Sequence, residues 1–343
     1  MGAASCGGSS SPVSSPASSD PSAAATPAQP GAARLPLVEV GDVDLPGGAV
    51  RFDYQDIDVA KGRLVIAHMN DASVVVADLA DGATVKVMSN VATARGIVVA
   101  DDVGRIFVTS SPDQLVIFDN DSLAEIGRVT TGSAPDGVGW DPDHKIVGVS
   151  DQHDGAISLI PNAGAGTRVQ VKLGVETGNV LYDAARAVFW ITVVAAQPPD
   201  KLVAIDPVSA KSTTSIDLPG CDGAHGLRIH PDGQSALVAC EGNNMLARVD
   251  LGGSHAVVTA STGDGPDVLA IDPGLGWVYV AAESGDLVVY DVGKPGLVKI
   301  EGEHVADNAH SVAVDAATHR VFFPLASGPK GTPALRIMKP AGI

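Results

Sequence analysis

The sequence repeats itself about every 42 residues, seven times, from roughly residue 50 to the C-terminus. Each unit has an apolar segment that ends at a turn residue, followed by two further apolar segments, such as RIFVTS and LVIFD in the second unit. The residues at the first turn of the seven units are Asp58, Ala100, Asp141, Asp183, His230, Asp272 and Asp315. Periods of 40 to 50 residues built from short strands are typical of propeller blades. The repeat therefore predicts an all-β fold, a seven-bladed β-propeller.

The last repeat unit is incomplete. It offers only three strand-like segments, near residues 311–315, 320–324 and 334–339. A fourth strand-like segment, LPLVEVGDVDL at residues 35–45, precedes the first unit. We predict that this N-terminal strand completes the last blade, because closure removes the exposed sheet edge of an open ring. The propeller domain is then residues 35–343.

Residues 1–34 differ in composition from the rest of the chain, being mainly Ser, Pro, Ala and Gly. Such a segment cannot bury enough apolar surface to fold, so we predict a disordered tether. Its start, Ala3-Ala4-Ser5-Cys6-Gly7, resembles the cleavage region of a bacterial lipoprotein, in which Cys6 would be lipidated. The charged and apolar regions of a signal peptide are missing, and Ala3 stands where Leu is usual. Either the chain has been trimmed at its start, which predicts a lipid-anchored envelope protein, or Cys6 is an incidental linker residue.

Two further cysteines lie in the fifth repeat unit. Cys221 precedes its first strand and Cys240 ends its second, so both are expected at one face of the same blade. A disulfide between them fits this geometry and an oxidising compartment. The alternative is a pair of buried free thiols.

The charge of the chain restricts its partners. Forty acidic residues against 22 basic ones give a net charge of −18. Nucleic acids and anionic membrane surfaces require a basic footprint, so neither is an expected partner. No apolar run reaches the roughly 18 residues of a membrane span. We expect a monomer that binds a small molecule or an envelope protein, and that meets a membrane only through a lipid anchor.

Three segments carry a family resemblance: RIFVTSSPDQLVIFD, ALVACEGNNMLARVD and WVYVAAESGDLVVYD. They resemble the YVTN-repeat (YncE-like) propellers of the bacterial envelope, and the match covers about Phe52 to Lys339. The resemblance implies the fold and a periplasmic or extracellular location. It implies no single activity, because the motif reflects blade architecture. Related propellers include lactonases and lyases that hold a metal or acid–base residues on the central axis, so an enzyme is one alternative.

One repeat position is expected to surround the mouth of the central channel. It lies five residues before each turn residue and is occupied by Asp53, Arg95, Asp136, Gly178, His225, Asp267 and His310. Blades five, six, seven and one are neighbours in a closed ring, so two imidazoles and two carboxylates (His225, Asp267, His310 and Asp53) form one arc. This set suits one divalent ion such as Zn²⁺ or Ca²⁺, or general acid–base chemistry.

Other residues of the same ring suggest how a substrate would be held. His225, His310 and Arg95 are the candidate catalytic residues, and Arg95 is suited to holding a substrate carboxylate. Gly178 is predicted to leave a gap through which a ligand enters.

Residues at the ends of the second strands are expected to extend this ligand-binding face. With Asp136 from the ring, they make it acidic and rich in histidine: His68, Asp151, His153, Glu241 and Glu283. The alternative is a structural role, since Pro-Asp before a strand, as at 135–136 and 266–267, is ordinary turn chemistry.

Two function classes therefore remain. One is an envelope scaffold that binds a ligand, metal or protein through its acidic face. The other is a metal-dependent hydrolase or lyase, in which the ion polarises a carbonyl or activates water. No nucleophile elbow, HExxH, P-loop or dinucleotide fingerprint occurs in a suitable context.

Overall fold

The computed structural model describes residues 37–342, which form seven four-stranded antiparallel sheets and three single-turn 3₁₀ helices. The sheets are the blades of a seven-bladed β-propeller, which confirms the fold class predicted from the repeat. The tether at residues 1–34 and the lipidation site Cys6 lie outside the described residues.

Every blade has the same strand order, running outward from the central channel. Blade one contains β2 (Gln55–Asp58), β3 (Arg63–His68), β4 (Ser73–Asp78) and β5 (Thr84–Ser89). Blade two contains β6 (Ile97–Ala100), β7 (Arg105–Ser110), β8 (Gln114–Asp119) and β9 (Glu125–Thr130). Blade three contains β10 (Pro135–Asp141), β11 (Ile146–Asp151), β12 (Ala156–Ile160) and β13 (Val169–Lys172). Blade four contains β14 (Glu176–Asp183), β15 (Val188–Val194), β16 (Asp200–Asp206) and β17 (Lys211–Leu218).

The remaining blades follow the same plan. Blade five contains β18 (Ala224–Ile229), β19 (Ser235–Cys240), β20 (Met245–Asp250) and β21 (Val257–Ser261). Blade six contains β22 (Pro266–Asp272), β23 (Trp277–Ala282), β24 (Asp286–Asp291) and β25 (Val298–His304). Blade seven contains β26 (Ala313–Asp315), β27 (Arg320–Leu325), β28 (Ala334–Pro340) and β1 (Leu37–Asp44). The 3₁₀ helices are Met69–Asp71, Asp101–Val103 and Glu241–Asn243.

The hydrophobic core lies between the blades. The described residues form seven buried apolar clusters, one at each interface between neighbouring blades. The middle strands are apolar on both faces because each face packs on a different blade, and β3 is buried along its whole length. The outermost strands pack on one side only, and β5 is exposed at five of its six residues. The blade repeat in the sequence is thus a repeat of interfaces.

The N-terminal strand closes the ring, as predicted. β1 pairs antiparallel with β28, from Leu37 opposite Pro340 to Asp44 opposite Ala334. Arg336 of β28 donates two hydrogen bonds to the Asp42 carboxylate of β1, at 2.9 and 2.8 Å. The last blade is therefore built from both ends of the propeller domain.

No helix among residues 37–342 has the length and apolar character needed to cross a membrane.

Candidate metal and ligand site at the channel mouth

A cavity of about 270 Å³ opens at one mouth of the channel, and we refer to it as the mouth cavity. The ring position of five blades and the loops after the second strands meet there. Its polar lining is Arg51, Asp53, Arg95, Asp136, Gln152, His225, Glu241, Asp267 and Glu283. The structure therefore brings together residues that lie more than 200 positions apart in the sequence.

The ring residues of blades three to six lie in irregular stretches of the innermost strands. The pairing register shifts between Pro135 and Val138, and at the equivalent places in β14, β18 and β22. A β-bulge changes the direction of side chains and is common beside active sites. Asp136, His225 and Asp267 lie within these shifts and reach the mouth cavity. Their side-chain directions therefore do not follow from regular strand alternation.

Three residues of the predicted metal arc meet closely. Asp53, Asp267 and His310 each offer one ligand atom, and these atoms lie within 4.8 Å of one another. Their exposed fractions are only 4, 5 and 1%. The three come from blades one, six and seven, so this triad spans the blade that closes the ring.

His310 is oriented as a metal ligand would be. Its Nδ1 lies 3.0 Å from the backbone carbonyl oxygen of Asn308. A carbonyl only accepts, so Nδ1 carries a hydrogen, and in the neutral ring the lone pair is then on Nε2. Nε2 is buried, has no hydrogen-bond partner among the described residues, and faces Oδ2 of Asp267 at 3.9 Å. A backbone carbonyl that fixes the tautomer in this way is typical of metal-binding histidines.

His225, the other predicted ligand, lies on the opposite side of Asp267. Its Nε2 is 3.4 Å from Oδ2 of Asp136 and 3.6 Å from Oδ1 of Asp267. Burial acts to lower the pKa of His225, but the surrounding carboxylates, Asp136 and Asp267 foremost, outweigh it and raise the pKa to about 9. The ring is therefore an imidazolium at neutral pH, and in that state it cannot bind a metal. The four-residue arc divides into a triad and a charged neighbour.

Arg51 is a major component of the site that the sequence analysis did not single out. Its guanidinium binds Glu283 through Nη1 and Nη2, at 2.8 and 2.6 Å, and lies 3.6 Å from Oδ2 of Asp267. Asn308 donates a further hydrogen bond to Glu283 at 2.6 Å. Burial acts to raise the pKa of Glu283, but the bond from Arg51 and its neighbours lower it. Glu283 is thus an ionised carboxylate held beside the triad.

Two buried carboxylates of the cavity lack this support. Burial first, and then the charges of Asp267 and Asp136, raise the pKa of Asp53 well above its usual value. Burial also raises the pKa of Asp136, although His225 and Arg95 oppose the shift. Five carboxylates line the cavity against two guanidiniums and the imidazolium of His225, which leaves two negative charges in excess when all are ionised. The site is therefore electrostatically suited to a divalent cation.

Arg95, the predicted carboxylate clamp, lies on the wall of the cavity. Its Nη1 donates to Oε1 of Gln152 at 2.7 Å and is 3.6 Å from Oδ1 of Asp136. Gln152 in turn donates to Glu176 at 2.8 Å. About a quarter of the Arg95 side chain is exposed, so it can reach a ligand in the cavity.

Several residues expected on this face have other surroundings. His68 is fully buried and stacks on Phe52 with ring centroids 3.9 Å apart, so it packs beneath the surface. Asp151 is also fully buried, and its carboxylate accepts hydrogen bonds from Ser158 and Gln170 at 2.6 and 2.8 Å. His153 is exposed but does not line the mouth cavity.

Gly178 does not form the expected gap. A Cβ atom at this position would lie 2.6 Å from Cα of His225 and from the hydroxyl of Thr192. The glycine instead allows blade four to pack directly against the backbone of blade five. A second cavity of about 400 Å³ does lie near this interface, and it shares His225 and Glu241 with the mouth cavity.

Cys221 and Cys240 form a disulfide in the structure. The bridge connects the loop before β18 to the end of β19 at the base of the Glu241 loop. It therefore ties down one wall of the mouth cavity.

The comparisons with known proteins identify the architecture. No protein-family model matches the chain, and no curated protein matches it. Among solved structures, the chain is similar to a chain of Kuenenia stuttgartiensis hydrazine synthase, with a TM-score of 0.72 at 15% sequence identity. The similarity covers 87% of this chain and 97% of that one. At this identity the likeness shows the propeller fold alone.

Proposed function

We propose that this protein is an extracytoplasmic, YVTN-like propeller that binds a divalent metal ion at its channel mouth, through Asp53, Asp267 and His310. The observation that supports this most directly is Nε2 of His310. It is buried and without a hydrogen-bond partner among the described residues, and it lies beside two carboxylates.

The geometry of the triad is compatible with metal coordination. The 3.9 Å between Nε2 of His310 and Oδ2 of Asp267 is too long for a hydrogen bond. Ligand atoms bound at about 2.0–2.2 Å around one ion stand about 3–4 Å apart. An imidazole in the donor set favours Zn²⁺ over Ca²⁺, which prefers oxygen ligands alone. Three protein ligands also leave a coordination position open towards the cavity.

The proposed location has separate support. The disulfide between Cys221 and Cys240 is of the kind that persists in the periplasm or outside the cell. The resemblance to YVTN-repeat envelope propellers and the lipoprotein-like start of the chain agree with this location. We therefore propose an envelope protein that is lipid-anchored through Cys6.

Metal stoichiometry tests the function directly. The purified full chain is stripped with a chelator, reloaded with ZnCl₂ or CaCl₂, desalted, and measured by elemental mass spectrometry. We expect one equivalent of zinc, with His310→Ala and Asp267→Asn each reducing it at least about tenfold, because a lost ligand removes a large part of the binding free energy.

The matched control is His144→Ala. His144 lies in a turn after the innermost strand of blade three, where it binds Asp141 at 2.8 Å. This variant should keep full metal content. Failure of the reloaded wild-type protein to retain either metal, or undiminished zinc in His310→Ala, would contradict the proposal and leave the polar cluster as a hydrated structural feature.

A metal-dependent hydrolase or lyase is a second candidate, favoured by the environment of His225. Its imidazolium lies 3.6 Å from a triad carboxylate and borders the mouth cavity, so it could donate a proton to a leaving group. Arg95 on the same wall could hold a substrate carboxylate. Turnover of a lactone panel by the zinc-loaded protein, lost in His225→Gln while the zinc content is retained, would favour the enzyme over the binding scaffold.

A further inference from the structure

The other half of the channel contains a separate cavity system, here named the inner channel. Two cavities of about 290 and 220 Å³ share Gln55, Asp56 and Arg228. Their walls are the inner faces of the first strands, up to the residues that precede the turns. The inner channel therefore lies towards the turn end of the propeller, away from the metal triad.

One repeat position distinguishes this region. Two residues before the turn, five blades carry apolar residues or glycine: Val98, Gly139, Leu181, Ala270 and Ala313. Blade one carries Asp56 and blade five carries Arg228. At this position the inner channel therefore has apolar or small residues on five blades and one acidic and one basic residue on the other two. Gln55 and Asn179 add further polar groups to its lining.

The two charged residues are bonded very differently. Both carboxylate oxygens of Asp56 accept backbone hydrogen bonds, from Ile57 at 2.9 Å and Val99 at 2.7 Å. The guanidinium of Arg228 donates a single hydrogen bond, from Nη1 to the carbonyl of Leu227 at 2.9 Å. Across residues 37–342, no carboxylate comes within ion-pair distance of Arg228. Most of its N–H donors therefore face the inner channel without a protein acceptor.

The walls around Arg228 fit an apolar ligand body. Trp140, Leu181 and Tyr182 contribute large side chains to the larger cavity, and Gly137 and Gly139 line it where their backbone packs closely on blade four. The combined size approaches that of pockets for small organic ligands, which are mainly apolar with a few fixed polar groups. A half-buried guanidinium in such a setting selects an anionic group that can accept two hydrogen bonds.

We propose that the inner channel binds a small organic carboxylate with an apolar, aromatic or branched body. The carboxylate pairs with the guanidinium of Arg228, and the body lies against Trp140 and Tyr182. The site is independent of the metal triad, and neither proposal requires the other.

Calorimetric titration of the full chain at pH 7.5 tests this with three probes of similar shape. They are 4-phenylbutyrate, 4-phenyl-1-butanol and 4-phenylbutylamine. We expect saturable binding of the carboxylate, at least about tenfold tighter than the alcohol, since a charge-assisted pair contributes more than a neutral hydrogen bond. Equal affinity for carboxylate and alcohol, or no saturable carboxylate binding, would overturn the proposal without any variant being needed.

Variants of the two charged residues sharpen the result. Arg228→Gln should reduce phenylbutyrate affinity at least about tenfold, whereas Asp56→Asn should leave it equal or higher because a negative charge is removed. Equal losses in both variants would indicate a structural effect and contradict recognition by Arg228. Asp267→Asn, which disables the metal triad, should leave phenylbutyrate binding unchanged, so the two proposals succeed or fail separately.

Discussion

At the scale of single residues, Asp53 shows that a proposed binding residue can lower the stability of the folded protein. Its carboxyl is buried among other carboxylates, which raises its pKa well above the usual 3.8. A carboxyl with a raised folded-state pKa is favoured in its protonated form. Asp53 therefore does not destabilise the folded protein at low pH, and it lowers the free energy of unfolding as the pH rises above about 3.8 towards neutrality.

This predicts a trade between stability and binding in Asp53→Asn. The metal-free variant should be more stable than the metal-free wild-type protein at pH 7, by at least about 1 kcal/mol, because the buried ionisable group is gone. Its stability should also depend less on pH between about 4 and 7, and it should lose zinc binding. Thermal unfolding of chelated samples across this range measures both effects.

Asp264→Asn provides the control, since Asp264 is an exposed acidic residue near the same face. It should alter neither the pH dependence nor the zinc content. An Asp53→Asn variant that retains one equivalent of zinc, or that unfolds below the wild-type protein at pH 7, would contradict the role given to Asp53.

At the scale of elements, the sequence predicted the positions of the strands better than the directions of their side chains. The period alone located seven innermost strands and the ring residues at or just before their starts. It could not show that His310 and Asp267 converge while His225 turns to Asp136. His225 and Asp267 lie within register shifts that interrupt strand alternation, and His310 lies in the loop before β26. His68 was also expected at the ligand face, although it stacks beneath the surface on Phe52.

A charged residue at a repeat position that is otherwise apolar could have indicated one of the two arginines that the sequence analysis did not single out. Arg228 lies two residues before the turn, at a repeat position that is apolar or glycine in most blades, and this exception is visible in the sequence. Arg51 gave no such signal, since it lies two residues outside the ring position and contacts Glu283, 232 residues away. Contacts between loops of distant blades depend on how the ring closes, and the repeat period in the sequence does not predict which loop residues pair.

The disulfide of blade five gives a prediction at this scale. Cys221 and Cys240 are 19 residues apart, and a loop of this length is stabilised by roughly 3 kcal/mol in the chain-entropy model. Protein produced in an oxidising compartment should show neither thiol on alkylation mapping without reductant. The double variant Cys221→Ser/Cys240→Ser should unfold at a lower temperature and keep the propeller fold. Full alkylation of both thiols in the unreduced protein would contradict a bridge in solution.

At the scale of the whole molecule, the propeller depends on a single seam. The other six blades are continuous in sequence, whereas blade seven joins β1 to β28. The seam holds through the β1–β28 register, through the buried Leu37, and through the two bonds from Arg336 to Asp42. The metal triad spans the same region, because blades six, seven and one supply its ligands. Assembly of the triad is therefore expected to depend on closure of the ring.

Two truncations test this dependence. Removing residues 1–34 should change the unfolding free energy by less than about 0.5 kcal/mol, because the propeller domain is predicted to begin at residue 35. Removing residues 1–48 deletes β1 together with the buried Leu37 and Leu45, and burial of two leucines alone contributes about 3–6 kcal/mol. The shorter chain should also lose zinc binding, since Asp53 would no longer be held against Asp267. The chain that lacks residues 1–48 should also self-associate at high concentration, because the edge of β28 becomes exposed.

Arg336→Gln keeps the strand and removes the pair with Asp42 and the hydrogen bond to the Val305 carbonyl, so its loss should be smaller, about 1–3 kcal/mol. Equal stability of the two truncated chains in thermal unfolding would show that β1 does not close the ring in solution.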